Sequence, residues 1–485
     1  MKRPASLMLP LMLPLILAGC QTVGPNFTAP PAPPASAAYA ADGAGRAALA
    51  QGPQQRWWQA FGSSDLDALV DRALARNAGL EASRETLTRA RERITALAGS
   101  QLPQVDANAR AQHTKVNLSA FGLDAAAAGA SGLRNPEFDL FTVGGGVSYD
   151  LDLFGGTRRA LEQAGAEAEA QQRRTEAAHL IVAGRVVTQV LAIAALRDRL
   201  SAEQALIGES RRNVTLTEAR RRAGEGTLVE VLSAQGQLAA DQAGLPQLEQ
   251  QLAEARAMLA VLLGTSPGEL GPTDFSLAAL TLPAEVPVAL PSELVHKRPD
   301  ILQAEAELHA ATAAIGVATA RLYPDITLGA SLTQSNQSLG SILGSGSRGF
   351  DLFAGILAPI FDGGTRKADQ RGAQAAARAS AASYQQTVLE AFGQVSGLLS
   401  ALDNDTRALA AQQQSADIAA RSLNLSRRSF QVGNSGILQV LDASRAYQRA
   451  QLALVEARAR RYVNVARLYV ATAGGWTQEP TPAAP

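Results

Sequence analysis

The sequence predicts an α+β membrane protein built on one plan used twice, each copy holding a pair of β-strands followed by a long helical hairpin. Three observations predict it: an export signal that ends in the only cysteine, two long proline-free stretches of nearly equal length, and strictly alternating segments ahead of each stretch.

Composition bounds the answer before any element is placed. Of 485 residues only 5% are aromatic, and the 46% hydrophobic fraction is dominated by Ala, which suits long, closely packed helices better than a thick globular core. Lys+Arg and Asp+Glu balance at 44 each, so no net basic charge argues for a nucleic-acid partner.

Lys2 and Arg3 precede an apolar run from Leu7 to Leu17, then Ala18, Gly19 and Cys20. The run is shorter than the roughly 20 residues that span a bilayer, and Pro10 and Pro14 weaken it further, so it reads as a cleaved signal over residues 1–19. A lone cysteine cannot form an intramolecular disulfide. Leu17 to Cys20 resembles a bacterial lipobox, which implies cleavage before Cys20 and acylation, such as palmitate, at that residue. Residues 20–56 then read as a lipidated N-terminus and an extended tether rich in Pro, Ala and Gly.

Two markers set the register of the repeat. Phe154, Gly155, Gly156, Thr157 and Arg158 recur as Phe361, Asp362, Gly363, Gly364, Thr365 and Arg366, with one insertion, and Gly224 to Leu232 matches Gly433 to Leu441. Both pairs are separated by 207 to 209 residues, a spacing that chance would not preserve. The repeats are expected over 57–271 and 272–476, with a Pro-rich tail at 477–485.

Between the markers, Thr157 to Ala223 and Thr365 to Val432 lack proline and read as helices about 100 Å long at 1.5 Å per residue. Thr157 and Thr365 are expected to cap them, and the interior glycines Gly184, Gly372, Gly393 and Gly397 to mark close helix packing or breaks. Return helices follow over Leu228 to Leu263 and Ile437 to Ala473, so each repeat holds an antiparallel coiled-coil-like hairpin. Pro246 is expected to kink or divide the first return helix.

Ahead of the first rod, Val105, Ala107, Ala109 and Ala111 alternate with polar residues, and Phe141, Val143, Val147, Tyr149 and Leu151 do the same. The second repeat offers Ile326, Leu328, Ala330 and Leu332, then a more apolar segment from Phe350 to Phe361. Four strands of about ten residues have the length and dyad pattern of membrane-barrel strands. Four cannot close a barrel, so chains must pool strands: two would give eight, three would give twelve, and a wide pore joined to helices favours three.

These residues resemble the TolC-like outer-membrane factor family, in its lipoprotein branch serving resistance-nodulation-division (RND) tripartite efflux systems. The likeness rests on Val23, Gly24, Pro25 and Asn26, on Trp57, Trp58, Phe61, Leu66, Leu69, Arg76 and Asn77, and on Ser148 to Gly155. Pro291, Ser292, Arg298, Pro299, Asp300, Ile301, Ala304 and Glu305 extend it. It implies a homotrimer with a twelve-stranded outer-membrane β-barrel, four strands per chain, joined to a periplasmic α-helical barrel. It further implies an inner-membrane RND transporter and a periplasmic adaptor as partners, with outer-membrane lipid around the barrel. The expected role is a passive exit channel for small toxic compounds; a protein-secretion channel and a non-conducting scaffold lipoprotein are the alternatives.

Catalytic and cofactor signals are weak. His113, His179, His296 and His309 show no metal-ligand spacing and the Gly-Gly-Thr-Arg turns lack a phosphate-loop lysine, so neither metal, cofactor nor enzymatic activity is expected. Interest falls on the turns between rod and return helix, which the resemblance places at a closed periplasmic tip: Gly224, Glu225, Gly226 and Thr227 in one, Gly433, Asn434, Ser435 and Gly436 in the other. Glu230 and Asp442 lie just beyond and would form rings of three carboxylates in a trimer, favouring cations and repelling themselves. By resemblance Asp442 sits at the constriction, while Gln439 stands where some relatives carry an acid.

Overall fold

The computed structural model describes residues 22–31, 56–117, 135–271, 274–283 and 291–472. The signal, Cys20, most of the tether and the tail lie outside the described residues. A short 3-10 turn, Trp57–Phe61, leads into α1 (Ser64–Arg76), α2 (Ala78–Ser100), β1 (Gln104–Lys115), β2 (Glu137–Asp150), α3 (Gly156–Arg222) and α4 (Leu228–Leu262). The order then repeats with α5 (Pro291–Lys297), α6 (Pro299–Ala320), β3 (Asp325–Asn336), β4 (Arg348–Leu357), α7 (Thr365–Gln431) and α8 (Ile437–Thr472). Helix, two strands, long helix and return helix thus occur twice.

The chain forms two compact units, and each repeat contributes to both. The first holds the described residues of Met1–Ala29, Arg89–Ala168 and Ala306–Ala381; the second holds those of Pro30–Thr88, Glu169–Glu305 and Ala382–Pro485.

The first unit is organised by an antiparallel sheet in the order β1-β2-β3-β4. Its pairing register puts the alternating apolar residues on one face, with Phe138, Leu140, Phe353 and Leu357 the exceptions. Val105 faces Val147, Ala109 faces Val143, Val147 faces Ala330, Tyr149 faces Leu328, and Ile326 faces Ile356. The opposite face carries Asp106, Asn108, Arg110, Thr142, Ser148, Thr327, Ser331 and Asp351, with Gly144, Gly146, Gly329 and Gly355 among them. A one-residue slip would exchange the two faces, so this segregation fixes the register. β1 and β4 keep unpaired edges, and β4 is exposed along its whole length.

Aspartates, not the expected threonines, cap the rods. The Asp152 carboxylate accepts from the backbone N–H of Thr157 and of Arg158, each at 3.0 Å, and Asp362 accepts from Gly364 and Arg366 at 2.8 and 3.1 Å. The Thr365 hydroxyl instead donates to the carbonyl of Asp362. A charged acceptor suits the positive end of a helix better than a hydroxyl does, and these two backbone bonds hold the Asp362 carboxyl below its ordinary range. Asp152 accepts a φ of 41° to reach its position, the one described non-glycine residue in the left-handed region. The cationic side chains at these helix starts are held by the same devices: Arg158 bonds Asp152, and Arg366 donates to the Arg321 carbonyl at 2.6 Å.

The second unit has a continuous apolar core. Trp57, Trp58, Phe61, Leu66 and Val70 pack with Val186, Val190, Leu191 and Ile193 of α3, Leu259 of α4 and Leu263 just after it, and Leu468 and Tyr469 of α8. Trp57 stacks on Tyr469 at 5.5 Å. Each such side chain, fully buried, contributes about 1.5–3 kcal/mol. By length and composition α3 could cross a membrane, yet its apolar stretch is what builds this core.

Two further expectations are corrected. α4 is not divided at Pro246; proline removes only its own N–H, and exposed Gln242, whose carbonyl is left free, can bond water. Of the interior glycines only Gly184 marks close packing, since a Cβ there would lie 2.6 Å from Val470 Cγ2. Among the described residues nothing lies within 4 Å of where a Cβ would stand at Gly372, Gly393 or Gly397, and α7 does not break at them.

Candidate functional site

The two rods end identically. Gly224 (φ 78°) and Gly433 (φ 80°) take the left-handed conformation, and the next residues, Glu225 and Asn434, donate back to the carbonyls of Arg220 and Ser429 at 2.9 Å. Gly224 and Gly433 donate to Arg221 and Phe430. This six-to-one pattern closes a helix and needs glycine at its turning point. Gly226 and Gly436 play another part. Gly226 is crowded, a Cβ there lying 3.2 Å from Arg221 N, and Gly436 supplies the carbonyl that accepts from Gln439 N at 3.2 Å.

Beyond the turns the repeats diverge. Glu230 belongs to a reciprocal cap: its carboxylate accepts from Thr227 N at 2.8 Å, and Thr227 Oγ1 accepts from Glu230 N at 3.3 Å. Gln439 occupies the matching position of the second repeat, where Gly436 replaces the capping threonine. Asp442 lies one turn further along, with its side chain 78% exposed and 3.5 Å from Arg445. No hydrogen bond or ion pair joins Glu230 to Asp442 among the described residues.

Sequence reading missed what lies behind Asp442. Arg445 Nε donates to Gln237 Oε1 at 2.5 Å; Gln237 in turn donates to Asp241 at 2.6 Å, and Asp241 accepts from Ser210 at 2.5 Å. Gln237, Asp241 and Ser210 are buried. The chain of bonds therefore starts at an exposed carboxylate on α8 and ends among buried polar groups on α4 and α3. Beside it, Gln448 donates to Glu203 at 3.1 Å, and burial together with neighbouring Asp241 raises the Glu203 carboxyl. No spacing rule in sequence finds residues 208 positions apart.

Glu230→Gln keeps an acceptor oxygen for Thr227 N–H, so stability is expected to hold within about 0.5 kcal/mol, whereas Thr227→Ala should cost about 1 kcal/mol. Thermal unfolding of the two variants checks this.

The lipid-attachment candidate Cys20 lies outside the described residues, but the segment following it does not float as the tether reading expected. Val23 N donates to the Phe154 carbonyl at 3.1 Å. Arg159, 4% exposed, donates to the carbonyls of Val23 and Gly24, to Asn26 Oδ1 at 2.8 Å and to Glu162 at 2.6 Å. Gly24 passes so close to Gly316 that a Cβ would lie 2.5 Å from its Cα, and Phe27 stacks on His309 at 4.4 Å. Burial opposes ionisation of Glu162, yet bonds from Arg159 and His309 outweigh it and hold the carboxyl below its ordinary range.

His309 is thus part of this seat. His179 is buried, with Nδ1 2.7 Å from the Thr175 carbonyl, and burial lowers its pKa; His113 contacts Asp139 and Glu137 at a strand end.

The profile of the family described as Outer membrane efflux protein matches residues 69–265 and 290–474. The chain is 31% identical to the pyoverdine export outer membrane protein OpmQ of Pseudomonas aeruginosa, covering 88% of each. It is 26% identical to the probable outer membrane lipoprotein SilC of Salmonella typhimurium over 96% of this chain and 97% of SilC. Among solved structures, the outer-membrane channel OprN superposes with a TM-score of 0.85 at 28% identity, over 94% of this chain and all of that one.

Proposed function

The chain belongs to the outer membrane efflux protein family and is an outer-membrane efflux channel, and we propose that it works as a homotrimer whose closed end is the pair of rod turns. The sheet carries the reading. A four-stranded sheet with an apolar face, a polar face and two unpaired edges cannot stand in lipid alone, because the edge N–H and C=O groups would go unsatisfied. Three chains pooling strands give a twelve-stranded barrel with its polar faces inward.

Cys20 carries the lipid, and the seat around Arg159 holds the following residues against the strand-to-helix junction. At the tip, Asp442 lines the constriction as a ring of three, and the Arg445–Gln237 bond holds each second hairpin against the first. Glu230 supports the turn chiefly as a cap. A periplasmic adaptor and an inner-membrane RND transporter supply cargo and energy. Small toxic compounds are the cargo class.

Planar-bilayer recording of detergent-purified protein, with its mass measured in solution, tests the proposal. A conducting trimer supports it, and a monomer without β-sheet signal refutes it.

A further inference from the structure

The polar face of the sheet has an unequal charge count that the channel reading does not use. Each of the four strands places one aspartate on it, Asp106, Asp150, Asp325 and Asp351, against a single cation, Arg110. The other ionisable strand residues, His113, Lys115, Glu137, Asp139 and Arg348, fall on the apolar face's side near the opposite strand ends.

The aspartates lie at two levels. Asp106 pairs with Gly146, Gly146 with Ser331, and Ser331 with Asp351, so two carboxylates stand in one transverse row with only a glycine and a serine between them. The second level is at the helix end of the sheet, where Asp150 accepts from the Thr327 hydroxyl at 2.7 Å and Asp325 faces Leu357. The side chains of Asp106, Asp351 and Arg110 make no hydrogen bond or ion pair among the described residues, so their charge is not cancelled by a neighbour.

We infer that the barrel wall itself makes the channel prefer cationic solutes, with Asp106 and Asp351 as the selectivity-determining pair and Arg110 opposing them. The inference rests on the proposal that the polar face lines a trimer's pore. There, twelve carboxylates face three guanidinium groups at membrane depth, separate from the Asp442 ring at the tip. Rings of carboxylates draw cations into a pore. A wall charge is screened beyond about 10 Å at 0.1 M salt, so the preference grows as salt is diluted.

The test is the reversal potential under a KCl gradient for the full-length protein, for Asp106→Asn with Asp351→Asn, for Arg110→Gln and for Asp442→Asn. Each is recorded also in an Arg445→Ala background, so that a closed tip does not hide the wall. The double variant should lose roughly threefold or more of the potassium-over-chloride permeability ratio at 0.1 M salt, and Arg110→Gln should raise that ratio. Asp442→Asn should keep a cation preference. If the double variant retains the full ratio while Asp442→Asn abolishes it, the wall has no such role and the duct stands. An assembled protein that conducts in neither background overturns the duct and the wall together.

Discussion

Arg445→Ala is expected to leave the channel ajar. Its guanidinium is the one described group that bonds both the exposed Asp442 and the buried Gln237–Asp241–Ser210 chain. Truncation removes a charge-assisted hydrogen bond and leaves Gln237 Oε1 buried without its donor, a loss of about 1 kcal/mol per chain at the least. In the proposed trimer three chains lose it together, so the proposed closed arrangement weakens by about 3 kcal/mol and the ratio of open to closed channels rises roughly a hundredfold. Single-channel recording at fixed voltage reads this as open probability. Asp442→Ala should also leak, but less, because that side chain is exposed and its bond to Arg445 is 3.5 Å long. Equal, unchanged closure in both variants would remove the tip from the gating account.

Arg159→Leu should release the N-terminal segment. The side chain is almost wholly buried and serves two backbone carbonyls, Asn26 and Glu162 at once. Removing it leaves the Glu162 carboxylate with His309 alone and strands three further acceptors, a cost of about 3 kcal/mol. The expected readouts are rapid proteolysis between Thr22 and the tether, and a lowered denaturant midpoint. Arg159→Lys should not restore the seat, because an ammonium cannot fork to four acceptors. Acid should loosen the same seat. Glu162 titrates below its unfolded value, so its contribution is complete above about pH 4.5 and is lost as pH falls through the lower native value. A segment that stays protected in Arg159→Leu would show that Gly24 packing and the Phe27–His309 stack suffice.

Elements with a local cause were legible in the sequence. The rods were placed within one residue at each end, because proline-free, Ala- and Gln-rich runs closed by a glycine turn admit few other structures. The strands followed from strict alternation, although β4 ends at Leu357, short of the Phe361 expected, because Pro359 cannot donate to a ladder. The caps were misassigned since a hydroxyl at the helix start looks sufficient until an aspartate several residues earlier folds back over the same N–H groups.

By itself the sequence determined what is periodic and local: the duplicated plan, the two long hairpins, the glycines that turn them and the two-faced strands. Tertiary structure alone decided which polar side chains meet. Arg445 reaches Gln237, and Arg159 reaches Asn26, only because helices distant in the chain are packed side by side. The Asp106 and Asp351 row exists only through the pairing of four strands. Such encounters depend on the register between elements, which is set by burial summed over whole faces and leaves no short-range mark in the residues that meet.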